Sequence, residues 1–161
     1  MRMMNTMHRR MSALLFIALV TACGRDSARK TVSASLGTAS APNVGRYLTD
    51  AKGRAVYMFV IDGKDSSACV GACAAAWPPL SADSGASADP TVRSELIGRI
   101  SRSDDRQQTT YNRMPVYYYE DDEQPGDIKG QGKNEFGGLW YLVAPSGDAI
   151  RSGAGGTAAT R

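Results

Sequence analysis

The sequence predicts a mainly β fold: a small single domain of antiparallel hairpins, arranged as a sandwich or an open barrel, with one or two short helices. Three observations predict it. First, Ala55–Asp62 reads A-V-Y-M-F-V-I-D and is echoed by P-V-Y-Y-Y-E-D-D at Pro115–Asp122. Val56 meets Val116, Tyr57 meets Tyr117, Phe59 meets Tyr119 and Asp62 meets Asp122, all at one spacing. Both copies spell Tyr-x-aromatic-x-x-Asp behind a valine, the mark of a repeated unit. Second, branched and ring side chains favour a pleated surface, and each Asp marks a strand giving way to a turn. Third, only Phe16 of the aromatic residues precedes Tyr47, and none follows Tyr141. The packed core therefore falls between those two positions.

Charge narrows the function classes. The formal net charge is +3, but Arg2, Arg9 and Arg10 all lie in the first ten residues. The rest of the chain is balanced. A neutral domain gives no electrostatic reason to expect nucleic acid as a partner.

Residues 1–22 read as a signal peptide. A short basic start is followed by the apolar run M-S-A-L-L-F-I-A-L-V at Met11–Val20. A membrane-spanning helix needs roughly 20 such residues, so the run is too short to cross, and the pattern is that of a secretory signal. Val20-Thr21-Ala22-Cys23 resembles the bacterial lipobox of an aliphatic residue, two small residues and Cys. That resemblance implies cleavage before Cys23 and lipid on its thiol and amino group. The alternative is cleavage at an ordinary signal site with Cys23 left free. Gly24 follows where an inner-membrane retention signal would have Asp. The expected location is the bacterial cell envelope, on the periplasmic side of the outer membrane or the cell surface. The expected membrane contact is the N-terminal lipid.

Residues 23–43 are rich in Ser, Ala, Thr and Gly and have no aromatic residue, which predicts a flexible tether. The β domain is expected over residues 44–151 and a loose tail over 152–161.

Within the domain, Arg46–Thr49, a turn at Asp50–Gly53 and Arg54–Val60 form the first expected hairpin. Leu96–Ser101 and Gln107–Tyr111, joined around Ser103–Arg106, form the second. Asn112-Arg113 turns the chain into a strand at Val116–Tyr119, although Gly in place of Arg113 would suit a tight turn better. Leu139–Val143 and Ala149-Ile150 make the last hairpin. Ala68–Trp77 offers two to three helical turns. Asp89-Pro90 before Thr91–Leu96 reads as an N-cap with proline at the first helical position.

These segments carry a family resemblance. G-R-Y-L-T-D-A-K-G-R-A-V-Y-M-F, C-V-G-A-C-A-A-A-W-P-P-L, Q-Q-T-T-Y-N-R-M-P-V-Y-Y-Y, P-G-D-I-K-G-Q-G and L-W-Y-L-V-A-P-S-G occur in order from about Val44 to Ile150. They are similar to secreted bacterial lipoproteins described by a repeated Tyr-x-aromatic-x-x-Asp motif. The resemblance implies the anchor, the single domain and the Cys pair. It implies no catalytic residues.

Cys69 and Cys73 form C-x-x-x-C. In an oxidising compartment the default for such a pair is a disulfide. On a helical turn the two positions lie about 6 Å apart, within disulfide range. A redox-active pair and a metal site are the alternatives. The only histidine, His8, lies in the signal peptide, which removes C-x-x-C-H haem attachment and Ser-His or Cys-His nucleophiles from the mature chain. No cofactor is expected. Glu120–Glu123 with Asp127, and Asp62 with Asp65, lack EF-hand spacing, so no metal is assigned to them. Gly126–Gly132 is Gly-rich but opens no helix and matches no phosphate loop. Tyr117 and Tyr119 share one strand face and Tyr118 the other, either as core packing or as a platform for a glycan or partner.

The sequence thus points to a lipid-anchored, non-enzymatic binding or structural module with an envelope protein or polymer as partner. The alternative is a thiol–disulfide or electron-transfer accessory using Cys69 and Cys73.

Overall fold

A computed structural model describes residues 34–82 and 86–152. The expected signal peptide and the expected lipidation site Cys23 lie outside the described residues. The strands are β1 Ala34–Ala41, β2 Gly45–Asp50, β3 Tyr57–Phe59, β4 Ala86–Ala88, β5 Ile97–Ser101, β6 Gln107–Tyr111, β7 Met114–Pro115, β8 Asn134–Glu135 and β9 Gly138–Leu142. One short helix, α1, spans Ala72–Ala76, and a 3₁₀ turn spans Ser94–Leu96. The described residues are mainly β, as the sequence predicts, in open sheets ordered β2-β1-β4, β3-β9-β8 and β5-β6-β7. Their strand pairings are antiparallel except β1 with β4.

The domain begins earlier than expected. Residues 34–41, assigned to the tether, form β1 and pair along β2 from Leu36–Asp50 to Ala41–Gly45. This stretch has no ring to bury. Backbone pairing and the burial of Leu36 offset its ordering instead.

The first expected hairpin is also redistributed. Thr49 bridges Ala55, but β2 takes β1 as its main partner, and β3 leaves to pair with β9. The expected strand at Val116–Tyr119 is not a regular ladder. Tyr118 and Glu120 N–H donate to the carbonyls of Pro78 and Ala76, while Tyr117 bridges Pro79. Pro78 and Pro79 have no N–H to return, which breaks the ladder. At the corresponding place Tyr141 and Leu142 do have one, and β3–β9 is continuous.

Helix is shorter than predicted. Gly71, with φ of 57°, turns the chain immediately before α1 and leaves Cys69 outside the helix. Asp89 does accept the Thr91 N–H at 2.9 Å, as a cap would. Only the 3₁₀ turn follows it. Asn112 and Arg113 sit at φ of 49° and 68°, a tight turn despite the absence of Gly. Asp65 holds it: its N–H reaches the Arg113 carbonyl at 2.7 Å and its carboxylate pairs with the guanidinium at 2.6 Å.

The two halves match. Gly37–Thr49 and Gly98–Thr110 occupy the same register position in β1–β2 and β5–β6. Leu48, Val56 and Val143 form a three-way backbone exchange, and Thr109, Val116 and Leu80 repeat it. Two buried clusters result. One is aromatic, with Tyr57, Phe59, Trp77, Tyr117, Tyr119 and Trp140. The other is mainly aliphatic, with Leu36, Leu48, Val56, Leu80, Val116 and Val143. Both faces of the motif strands are therefore covered.

Candidate functional site

The repeated motif meets its own copy at the centre of the aromatic cluster. Tyr57 and Tyr117 form an antiparallel bridge in which each N–H donates to the other's carbonyl at 2.9 Å. Their side chains then cross between repeats. The Tyr57 hydroxyl donates to Asp122 Oδ2 at 2.6 Å, and the Tyr117 hydroxyl donates to Asp62 Oδ2 at 2.6 Å. Each Asp belongs to the opposite copy of the motif. The other oxygen of each carboxylate accepts a backbone N–H from the loop beyond it, Ala68 for Asp62 at 2.7 Å and Lys129 for Asp122 at 2.9 Å. Tyr57 and Tyr117 are fully buried, and both Asp side chains are buried too.

Burial sets the protonation behaviour. It is the first cause raising both tyrosine hydroxyls far above the ordinary phenol range, with the neighbouring carboxylates adding to it. It also raises Asp62 and Asp122, against the opposing pull of the tyrosine and backbone hydrogen bonds.

The pairs differ in their surroundings. Beside Asp62, Ser67 Oγ lies 2.8 Å from the Tyr117 hydroxyl. Arg102, with its side chain 1% exposed, donates to Ser67 at 2.8 Å, Gln108 at 2.6 Å and the Cys69 carbonyl at 2.6 Å. Beside Asp122, the Gly130 N–H donates to the Tyr57 hydroxyl at 3.3 Å. A Cβ on Gly130 would come within 2.8 Å of the Trp77 ring and 2.9 Å of the Tyr57 ring, so only Gly fits. Among the described residues, no buried side-chain nitrogen or oxygen lacks a partner.

Phe59 stacks on Trp140 with centroids 4.1 Å apart, and Tyr119 packs on Trp77 at 4.3 Å, tilted by 32°. The tryptophans stack on each other at 3.9 Å. Tyr118 is half-buried; its ring lies under Arg54 at 3.9 Å and its hydroxyl donates to Asp50 at 3.0 Å. The tyrosine triplet is thus core packing. Cys69 and Cys73 are joined in a disulfide with Cα atoms 5.2 Å apart, and both are buried against the aromatic cluster. Among the described residues no group of three or more His, Cys, Asp or Glu side chains is placed to hold a metal. A shallow cleft of about 600 Å³ is lined by residues that include Thr38, Thr49, Asp50, Ala88, Asp89 and Thr91.

All six motif residues singled out in the sequence converge here. Trp77, Trp140, Ser67, Arg102, Gln108 and Gly130 were not singled out. The signal available for the first two was that the chain has only two tryptophans, one in each half.

Neither the comparison with curated proteins nor that with solved structures returns a match. A family model described as a secreted repeat of unknown function matches twice, over residues 38–81 and 98–144. Each matched segment contains one tyrosine of the bridge and one stacked tryptophan. The matches cover more than half of the chain and divide it where the two halves divide, so the chain belongs to the family described as a secreted repeat of unknown function.

Proposed function

We propose that this chain is a lipid-anchored cell-envelope protein whose β domain is a non-enzymatic binding or structural module. The reciprocal Tyr–Asp exchange is the observation that carries the reading. It commits the motif's hydroxyls and carboxylates to one another in the interior, so the repeat acts as a rigid frame. Recognition of an envelope protein or polymer then falls to the surface, where a cleft beside β1 and β2 is lined in part by Thr38 and Thr91, whose hydroxyls lie 3.1 Å apart. The Asp50 and Asp89 carboxylates in that cleft already hold backbone N–H groups at 2.8–3.0 Å. The family's description as secreted supports an envelope location. Burial of both sulfurs supports a structural disulfide over thiol exchange.

Anchoring is tested at Cys23. Cys23→Ser is expected to move the protein out of the membrane fraction and to abolish incorporation of labelled fatty acid. A Ser variant that still sediments with membranes contradicts the anchor.

A further inference from the structure

Phe59, Trp140, Trp77 and Tyr119 form one column with centroid spacings of 4.1, 3.9 and 4.3 Å. Tyr57 sets its edge against Trp77 at 5.5 Å, and Tyr117 sets its edge against Trp140 at 5.2 Å. Four of these rings also donate a hydrogen bond to a carboxylate. Tyr57 has Asp122 and Tyr117 has Asp62, each at 2.6 Å. Tyr119 has Asp121 at 2.8 Å, and the Trp77 indole N–H has Glu135 at 3.0 Å.

Tyrosine and tryptophan are among the side chains most readily oxidised by one electron, and the oxidised phenol of tyrosine is a strong acid. Oxidation is eased when a base stands ready to take its proton. We propose that this column is a one-electron relay that reduces outer-sphere one-electron oxidants, such as high-potential metal complexes or radicals. The proposal goes beyond the binding reading and is independent of the anchor. The oxidant takes one electron at the edge formed by Tyr119 and Glu135, whose carboxylate is one-third exposed. The vacancy passes through the stacked tryptophans to Tyr57 or Tyr117. There the O–H proton moves to Asp122 or Asp62. The products are a neutral tyrosyl radical, a protonated Asp and the oxidant reduced by one electron, so charge and atoms balance. Burial keeps both hydroxyls from ionising beforehand, and a carboxylate already at 2.6 Å lets the proton move with the electron.

The test uses the full chain with photogenerated tris(bipyridine)ruthenium(III) as oxidant, followed by transient absorption and electron paramagnetic resonance. Wild type is expected to give a tyrosyl radical after a tryptophanyl intermediate. The variant Tyr57→Phe/Tyr117→Phe should lose that long-lived radical. Asp62→Asn/Asp122→Asn should slow its formation by about 100-fold, the scale of losing a positioned base. Near-UV circular dichroism checks that each variant keeps the stack. An unchanged radical yield in a folded Phe variant would overturn the proposal. If the Phe variant does not fold, wild type decides through its solvent isotope effect. A clear slowing in D₂O supports the relay, and identical rates in H₂O and D₂O refute it.

Discussion

Tyr57 and Tyr117 return each other's backbone hydrogen bonds at 2.9 Å, N–H to carbonyl in both directions. An antiparallel bridge between equivalent residues is symmetric by construction. It places the two copies of the motif head to tail, so each hydroxyl reaches the Asp of the other copy. Neither repeat completes its own polar pair. The β domain is therefore one cooperative unit made of two interdependent halves.

Gly130 should be among the least replaceable glycines. An alanine Cβ there would press on the Trp77 and Tyr57 rings at 2.8 and 2.9 Å. Overpacking of this kind costs about 1–3 kcal/mol. Gly63, where a Cβ would meet Ser66 at an ordinary 3.7 Å, is the control. Urea melts of Gly130→Ala and Gly63→Ala are expected to separate clearly, with Gly63→Ala near wild type.

The disulfide should be stabilising but small in effect. It closes a short loop between Cys69 and Cys73, so the chain-entropy contribution is about 2 kcal/mol. Cys69→Ala/Cys73→Ala is expected to lower the unfolding free energy from urea melts by that amount and still fold. The accessory reading makes a different forecast, a reduction potential near −200 mV or above, against below about −300 mV for a structural bond. Redox titration of the native chain distinguishes them.

Alkaline pH should unfold the domain through its tyrosines. Burial raises the hydroxyls of Tyr57, Tyr117 and Tyr118. Below about pH 10 folded and unfolded chains both keep these protons, and the contribution to stability is fully present. Above it the unfolded chain ionises first, and each tyrosine removes about 1.4 kcal/mol per pH unit. Asp62 and Asp122 are raised as well. Their contribution is complete in acid and is lost as pH rises through their folded values. Tyrosinate absorbance from the three rings should appear together with unfolding. Ionisation of all three in the native state near pH 10 would contradict their burial.

Much of this arrangement was legible in the sequence, for physical reasons. Ring and β-branched residues mark the motif strands, and the spacing of the motif marks the repeat. The crossing of partners was not legible, because a motif read along the chain suggests that Tyr57 belongs with Asp62. β1 was missed because its ordering comes from pairing with β2, which composition does not record. Alternation along the strand places Tyr118 on the face opposite Tyr117 and Tyr119 but does not say whether that face is wet. That face is covered by the aliphatic cluster, and Arg54 and Asp50 hold the ring. The position and chemistry of Arg102 were visible as residues only. Its acceptors lie partly beside it, at Asp104 and Gln108, and partly in the distant Ser67–Cys69 segment that the fold brings to it.

The central claim is that the Tyr–Asp pairs are made between repeats, and double-mutant cycles test it most directly. Tyr57→Phe with Asp122→Asn, and Tyr117→Phe with Asp62→Asn, are expected to show coupling of about 1.5–3 kcal/mol, as for hydrogen bonds to charged groups. The within-motif combinations, Tyr57→Phe with Asp62→Asn and Tyr117→Phe with Asp122→Asn, should be additive to within about 0.5 kcal/mol. Strong coupling within each motif and additivity between them would contradict the reciprocal exchange.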